Sequence, residues 1–466
     1  MKCYIKVAAF AATLFSLCSC SRLKQTDNKE ILKHKNASET LTAVKEINQK
    51  KEQALIKYIQ MLSVEEKLSQ IFLINLEHND SFLPVEWYKK SERQPDGTFK
   101  DVKRTLIPAG YIFFGYNIAE NPESVIGFTD SIISHAVEQD SIAPFLSIDV
   151  EGGFVNRLRG LAGPLPENER VSSVLSRSQS YKLYSAYAKQ MSALGFNLDL
   201  APVAEICTDE NKDFLNGRSY GTKNQAIDYS KSFIRAFQDN NVGCVVKHFP
   251  GNTNVDPHIG LPKIQMTQAE YADILEVFSQ VLKEKPDAVL MSHVIVPPYD
   301  DHPSCLSKFW VTEVLRDTLK YDGIIFSDDI FMGALIDNGY SPKTASTMAL
   351  DAGITCIMIS EKKFGKWMEL LTKLCVNDSA FMAKVDEAVF KMLRFKMKHG
   401  LIDCNLNAES GEYEVDLKAP LEFYNEQNKN SRLELFEKNR LETQNIYNKY
   451  FYATASDQEK RGLFVE

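Results

Sequence analysis

The chain has 466 residues, 44% hydrophobic and 25% charged, which is the balance of an ordinary globular protein. That length admits one large barrel with extensions or two to three smaller domains. A formal net charge of −8 argues against a nucleic-acid partner. The nine cysteines are scattered without CxxC pairs or His-rich spacing, so there is no zinc signature and no disulfide framework. No metal or organic cofactor is expected.

At the N-terminus, Lys2 and Lys6 flank the start of an apolar stretch, Val7 to Leu17, that runs into Leu17-Cys18-Ser19-Cys20. The stretch is too short to span a membrane and suits a signal peptide. Its last four residues resemble a bacterial lipobox, with Cys20 as the residue acylated after cleavage; a plain signal peptide is the alternative. Multiple acyl chains anchor durably where one does not. The expectation is therefore a signal over residues 1–20, export, and a lipid tether to a membrane of the cell envelope. Residues 21–50 are polar and rich in Lys, Asn, Glu and Thr, a composition that suits a tether. Ser63-Val64-Glu65-Glu66 fits a capping box, and a globular domain is expected from about residue 51.

Eight apolar runs follow: Ile71 to Ile74, Gly110 to Phe114, Phe145 to Ile148, Leu198 to Val203, Gly243 to Val246, Ala288 to Met291, Gly323 to Phe326 and Ile354 to Ile359. Helical patterns such as Tyr181 to Leu194 and Gln268 to Lys283 lie between them. Continuous apolar strands, each followed by a helix, indicate a parallel sheet covered on its faces. Eight such units over residues 51–403 fit an α/β fold of the (β/α)₈ TIM-barrel type. A doubly wound open sheet is the structural alternative, and the absence of a GxGxxG loop after the first strand weakens its dinucleotide-binding form.

Polar residues gather directly after these runs: Asp149 and Glu151 after the third, Lys247 and His248 after the fifth, Ser292 and His293 after the sixth, Asp328 and Asp329 after the seventh. In a barrel these positions form the mouth where active sites lie. The densest segment is KHFPGNTNVDPH, Lys247 to His258, where Pro250, Gly251, Asn252 and Asn254 set a loop that carries Asp256 and His258. Residues 77–105 read as a polar and aromatic insertion at the rim. A helix is expected over Ala380 to His399, closed by Gly400. Residues 404–466 are charged with thinly spaced apolar positions, which reads as a helical extension of one or two helices.

With these residues in place, the chain resembles glycoside hydrolase family 3, in its β-N-acetylglucosaminidase branch, from about Leu62 to Ile402. The resemblance rests on SIDVEGGFVNRL (147–158), LAPVAEI (200–206), FLNGRSYG (214–221), KHFPG (247–251), DPH (256–258), MSHVIVP (291–297) and the segment 306–335 that contains SDD. It implies a retaining exo-hydrolase that removes terminal β-linked N-acetylglucosamine from glycans such as peptidoglycan fragments. Asp328 is then the nucleophile that forms a covalent glycosyl-enzyme. His258 is the acid/base and Asp256 the carboxylate that orients and stabilises its ring. Asp149, Arg157, Arg218, Lys247 and His248 would hold the sugar, with Arg218 as a structural ion pair the alternative. Asp329 suits a helix cap, which would leave Asp328 to face the mouth.

Two features depart from the family pattern. The loop before Asp256 is two residues shorter than usual and carries Pro257, and Phe154 stands where EGGRV has Arg. The alternatives are a family 3 β-glucosidase or β-xylosidase, a phosphorylase of the same branch, and a glycan-binding lipoprotein with little turnover. The first of these places a carboxylate acid/base in a second domain, for which about 60 residues after the barrel are too few.

Overall fold

A computed structural model describes residues 45–452 apart from 85, 94, 96 and 361–364. The expected signal segment with Cys20 and the tether up to residue 44 lie outside the described residues. The chain divides into two units, 1–53 and 54–466, and the second carries the fold.

Its centre is a closed barrel of eight parallel strands. These are β1 (Phe72–Asn75), β2 (Gly110–Phe113), β3 (Phe145–Ile148), β4 (Leu198–Asp199), β5 (Gly243–Phe249), β6 (Ala288–Met291), β7 (Ile324–Asp329) and β8 (Cys356–Ile359). Each strand pairs with its neighbours in sequence, and β1 closes the ring by pairing with both β2 and β8. All eight apolar runs contribute strands. Full burial of β1 to β3, β5, β6 and β8 explains why those runs are continuous rather than alternating.

Two boundaries differ from expectation in a way that matters. β5 continues through Lys247 and His248, and β7 through Asp328 and Asp329. These four polar residues therefore sit on the last rungs of their strands rather than on the loops beyond them. β4 is shorter than its apolar run because Pro202, which has no N–H to donate, interrupts the ladder; pairing resumes at Val203 with Lys247.

The interior is filled by aromatic rings from opposite sides. Phe145 of β3 meets Phe326 of β7 edge-on at 6.1 Å, and Phe395 caps it from below at 5.7 Å. Gly110 is required beside this cluster, since a Cβ there would lie 2.3 Å from the Phe145 ring. The covering helices begin where the sequence caps them. Ser63 with Glu66, Ser176 with Gln179, Thr222 with Gln225 and Thr267 with Glu270 all form capping boxes.

The insertion after β1 is a hairpin of Glu86–Arg93 with Phe99–Thr105. After the helix Ser379–Lys398, a second hairpin, Asp403–Leu406 with Tyr413–Asp416, precedes a helix over Glu426–Tyr450. That helix packs on Arg177–Leu194: Arg432 donates to the Ala193 carbonyl at 2.9 Å and pairs with Asp130 at 2.6 Å. The helical extension is therefore present, with a hairpin that the sequence reading did not separate from it.

At the barrel floor, Asp287 lies beside Lys398 Nζ (2.5 Å) and His399 Nε2 (3.3 Å), with only 5% of its side chain exposed. Burial alone would raise its carboxyl, but His399 and Lys398 hold it below the ordinary range. A depressed carboxyl contributes stability above its unfolded value, about 3.9, and the contribution is lost as pH falls through the folded value. Asp287→Asn is therefore expected to cost roughly 2–4 kcal/mol at neutral pH. Denaturant unfolding measured against pH should show the gap from wild type closing at strongly acidic pH; a gap independent of pH would refute the pairing.

Candidate active site

The strand ends bring most of the expected residues to one mouth, and the first group is a buried ion network. Lys247 Nζ on β5 lies 2.8 Å from Asp149 Oδ1 and 2.6 Å from Glu151 Oε1. Arg218 grips the same Glu151 with its fork, Nε at 2.7 Å and Nη2 at 2.9 Å. Burial would raise the Glu151 carboxyl, yet Lys247 and Arg218 overcome it and hold it well below the usual carboxylate range. The structural alternative for Arg218 is thus realised: its bidentate capacity is spent on Glu151. Asp149, by contrast, gives Lys247 only one of its two oxygens. Arg157 donates its backbone N–H to the Asp149 carbonyl at 3.1 Å. Its guanidinium lies 6.0 Å from the Phe114 ring, and its buried Nε has no partner.

Three further residues were not assigned from sequence. Glu205, after β4, accepts from His248 Nδ1 at 2.7 Å and from Asn252 at 3.0 Å, which fixes His248 and the root of the following loop. Its signal was present, since it directly follows an apolar run as the other mouth residues do. Asp199 ends β4 and accepts the Val150 N–H at 2.9 Å. Burial pushes its carboxyl well above the usual range, against the Val150 N–H and the charge of Lys247. Glu151 had been noted after the third run but not recognised as the hub.

At β7, Asp328 has a left-handed backbone (φ 62°), a conformation that costs energy for a residue other than glycine and concentrates at functional sites. Its Oδ1 accepts the Asp329 N–H at 2.7 Å. Its Oδ2 lies 3.9 Å from His293 Nε2. Among the described residues no Lys or Arg is within ion-pair distance of it. Asp329 does not cap a helix, because the next one, Gly333–Ile336, has Met332 at its cap. Asp329 instead accepts from the Phe331 and Ser360 N–H groups, at 2.9 and 3.1 Å, and ties β7 to the end of β8.

The loop after β5 spans the mouth. On one side Asn254 donates to the Glu210 carbonyl and accepts from the Asp213 N–H. On the other side Pro257 O accepts the Ala334 N–H at 3.0 Å, six residues after Asp328. Asp256 Oδ1 lies 2.8 Å from His258 Nδ1 and accepts the His258 backbone N–H at 2.9 Å. The dyad is open to solvent, with 72% of the His258 side chain exposed. Burial would raise the Asp256 carboxyl, but the backbone and side-chain bonds from His258 together hold it below its ordinary value. Beneath the loop a cavity of about 470 Å³ extends along the helix Gln268–Val281, lined by Glu205, Asn252, Ile264, Ile274 and Phe278.

Over residues 63–395 the chain matches the glycosyl hydrolase family 3 N terminal domain. It is a member of glycoside hydrolase family 3. Among its relatives is a beta-hexosaminidase A of Pseudoalteromonas piscicida, 24% identical over 358 residues; the match takes in 68% of this chain but only 59% of that protein. A beta-hexosaminidase of Haemophilus influenzae strain Rd is 30% identical over 290 residues, 60% of this chain and 80% of the relative. The fold is similar to a solved family 3 beta-N-acetylglucosaminidase from Paenibacillus sp. str. FPU-7, with TM-score 0.63 and 25% identity over 81% of this chain and 68% of that one.

In this family 3 chain the buried network and the exposed dyad predict opposite responses to mutation. Glu151→Gln strands Arg218 and weakens Lys247, and is expected to cost about 3–5 kcal/mol of stability and to raise KM. Asp256→Asn should leave stability nearly unchanged and lower kcat by about 10²-fold. Thermal unfolding and initial rates on both variants check this; a Glu151→Gln protein as stable as wild type would exclude the hub role.

Proposed function

We propose that the protein is a retaining exo-β-N-acetylglucosaminidase. The observation that carries this reading is the pairing, at one mouth, of a carboxylate with no Lys or Arg partner among the described residues and an imidazole braced by its own carboxylate on the loop that spans that mouth. In the first step an Asp328 oxygen bonds to the anomeric carbon while His258 donates a proton to the departing glycosidic oxygen. In the second, His258 takes a proton from water, the water oxygen bonds to the anomeric carbon, and the carboxylate is released. Asp256 orients the ring and stabilises its charged form. Asp149 offers a free oxygen to sugar hydroxyls, Lys247 and His248 frame the pocket, and Arg157 supplies unspent donors. The names of the relatives support β-linked N-acetylhexosamine as the substrate. Peptidoglycan fragments are the proposed natural source, reached by an exported protein tethered through Cys20.

Release of nitrophenol from β-N-acetylglucosaminide and β-glucoside substrates, with and without phosphate, tests the activity. The acetamido sugar should be strongly preferred and phosphate should have no effect. Asp328→Ala is expected to abolish turnover with the fold intact. His258→Ala should slow a natural disaccharide far more than the activated aryl glycoside; equal losses on both would exclude the acid role. For the tether, Cys20→Ala should move the protein from the membrane fraction to the soluble fraction of fractionated cells. An unchanged distribution would exclude acylation at that residue.

A further inference from the structure

We infer that His293 is a positioning residue whose Nε2–H is held for the Asp328 oxygen released from the sugar in the second half of the reaction. This rests on the reading of Asp328 as nucleophile.

His293 follows β6 and is enclosed, with 1% of the residue exposed. Its ring neighbours are unusual. Nδ1 lies 3.3 Å from Cys305 Sγ, Nε2 lies 3.2 Å from Met332 Sδ, and Nε2 is 3.9 Å from Asp328 Oδ2. A buried imidazole ordinarily gives its N–H to an oxygen, and this one has only a thioether, a weak acceptor, within bonding distance.

The tautomer follows from the partners. Met332 Sδ has no proton and can only accept from Nε2, whereas the Cys305 thiol, pushed well above its ordinary value by burial, keeps a proton it can donate to Nδ1. Burial also lowers His293, against the opposing charges of Asp328 and Asp329; His248 and His258 act in the same direction as burial. A neutral ring that accepts at Nδ1 carries its proton on Nε2. That N–H faces Met332 and the free oxygen of Asp328.

The two Asp328 oxygens are already distinguished. Oδ1 accepts from the Asp329 N–H and is placed to remain the carbonyl oxygen of the glycosyl ester. Oδ2 is then the oxygen bonded to the anomeric carbon. In the ester Oδ2 is a poor acceptor. When water attacks, the bond from the anomeric carbon to Oδ2 breaks, the electron pair returns to Oδ2, and the restored carboxylate is a strong acceptor. A neutral N–H that tightens on this oxygen as charge returns lowers that barrier selectively. In the first step the same N–H stabilises the resting carboxylate, so its loss should not slow attack.

His293→Leu should therefore lower kcat by about 10- to 100-fold with KM falling in parallel, leaving kcat/KM for an aryl N-acetylglucosaminide changed by roughly threefold or less. A burst of one equivalent of nitrophenol should precede the slow phase, with an N-acetylhexosamine adduct visible in the intact-protein mass. His293→Gln, which retains an N–H, should recover most of kcat. Cys305→Ala, which removes the donor that fixes the tautomer, should give the same asymmetry more weakly, and it carries the test should the leucine variant not fold. Equal losses of kcat and kcat/KM without a burst, or a glutamine variant no better than leucine, would overturn the inference in favour of a packing role. Trapping the wild-type enzyme with a 5-fluoro N-acetylglucosaminyl fluoride separates the two readings. An adduct at a residue other than Asp328 would sink the nucleophile assignment whatever the His293 variants do.

Discussion

The carboxylate of Glu151 is the constraint on which the mouth depends. Two cations from different parts of the chain, Lys247 on β5 and Arg218 on the loop after β4, end on its two oxygens. Without it, both would be left largely buried with no carboxylate bridging them: Lys247 would keep only Asp149 and Arg218 would feel Glu205 and Asp149 from further off. Breaking a buried ionic cluster by removing one member is far more costly than never having built it. Fixing Lys247 through Glu151 also fixes Asp149, and fixing Asp149 fixes the backbone that carries Arg157. The groups proposed to face the sugar are therefore organised by the protein itself, which is how a polar pocket avoids reorganising as it binds.

The loop after β5 is built on the opposite principle. Its dyad is solvent-exposed, it is held at its root by the side chains of Asn252 and Asn254 and on the far side by one backbone hydrogen bond from Ala334, and its apolar residue Ile259 is 81% exposed. In the proposed mechanism the contrast is useful: a proton donor that serves both a leaving group and an incoming water gains from access to solvent, whereas a pocket that holds a neutral sugar gains from enclosure. The shorter loop and Pro257 do not prevent contact with the far side of the mouth, because Pro257 O itself bonds to the loop after β7. Phe154, in place of the expected arginine, is 75% exposed with Arg159 stacked at 5.1 Å, so a cation still stands near that position, supplied from five residues further along.

The sequence made the barrel legible because a buried parallel strand has no polar face to interrupt it: each of the eight apolar runs became a strand. It made the mouth legible because the first polar residue after such a run has almost nowhere else to go. Connectivity within the mouth was hidden. Nothing in the order of residues says that Arg218 spends its fork on Glu151, or that Glu205 clamps both His248 and Asn252, since these bonds join residues dozens of positions apart. Asp199 escaped notice because it lies within an apolar run, and the hairpin Asp403–Leu406 with Tyr413–Asp416 because its short, half-exposed strands carry little periodic signal. The role expected of Asp329 failed for a local reason: the chain runs on for three residues before the next helix starts, so its carboxylate caps the turn at Phe331 instead.

The carboxyl groups at the mouth fall into two classes by environment rather than by residue type. Glu151 and Asp256 are held low by cationic or imidazole partners, and Asp199 and Asp329 are pushed up by burial. Asp328 has different neighbours. It has one backbone N–H on one oxygen and a neutral imidazole approaching the other, and no Lys or Arg within pairing distance. A cation there would stabilise the resting carboxylate and blunt it as a nucleophile, while full burial would protonate it. Partial enclosure with a single fixed donor leaves it oriented and, among the described residues, without a Lys or Arg partner, which is the arrangement the proposed mechanism asks of an oxygen that attacks an anomeric carbon and leaves it again.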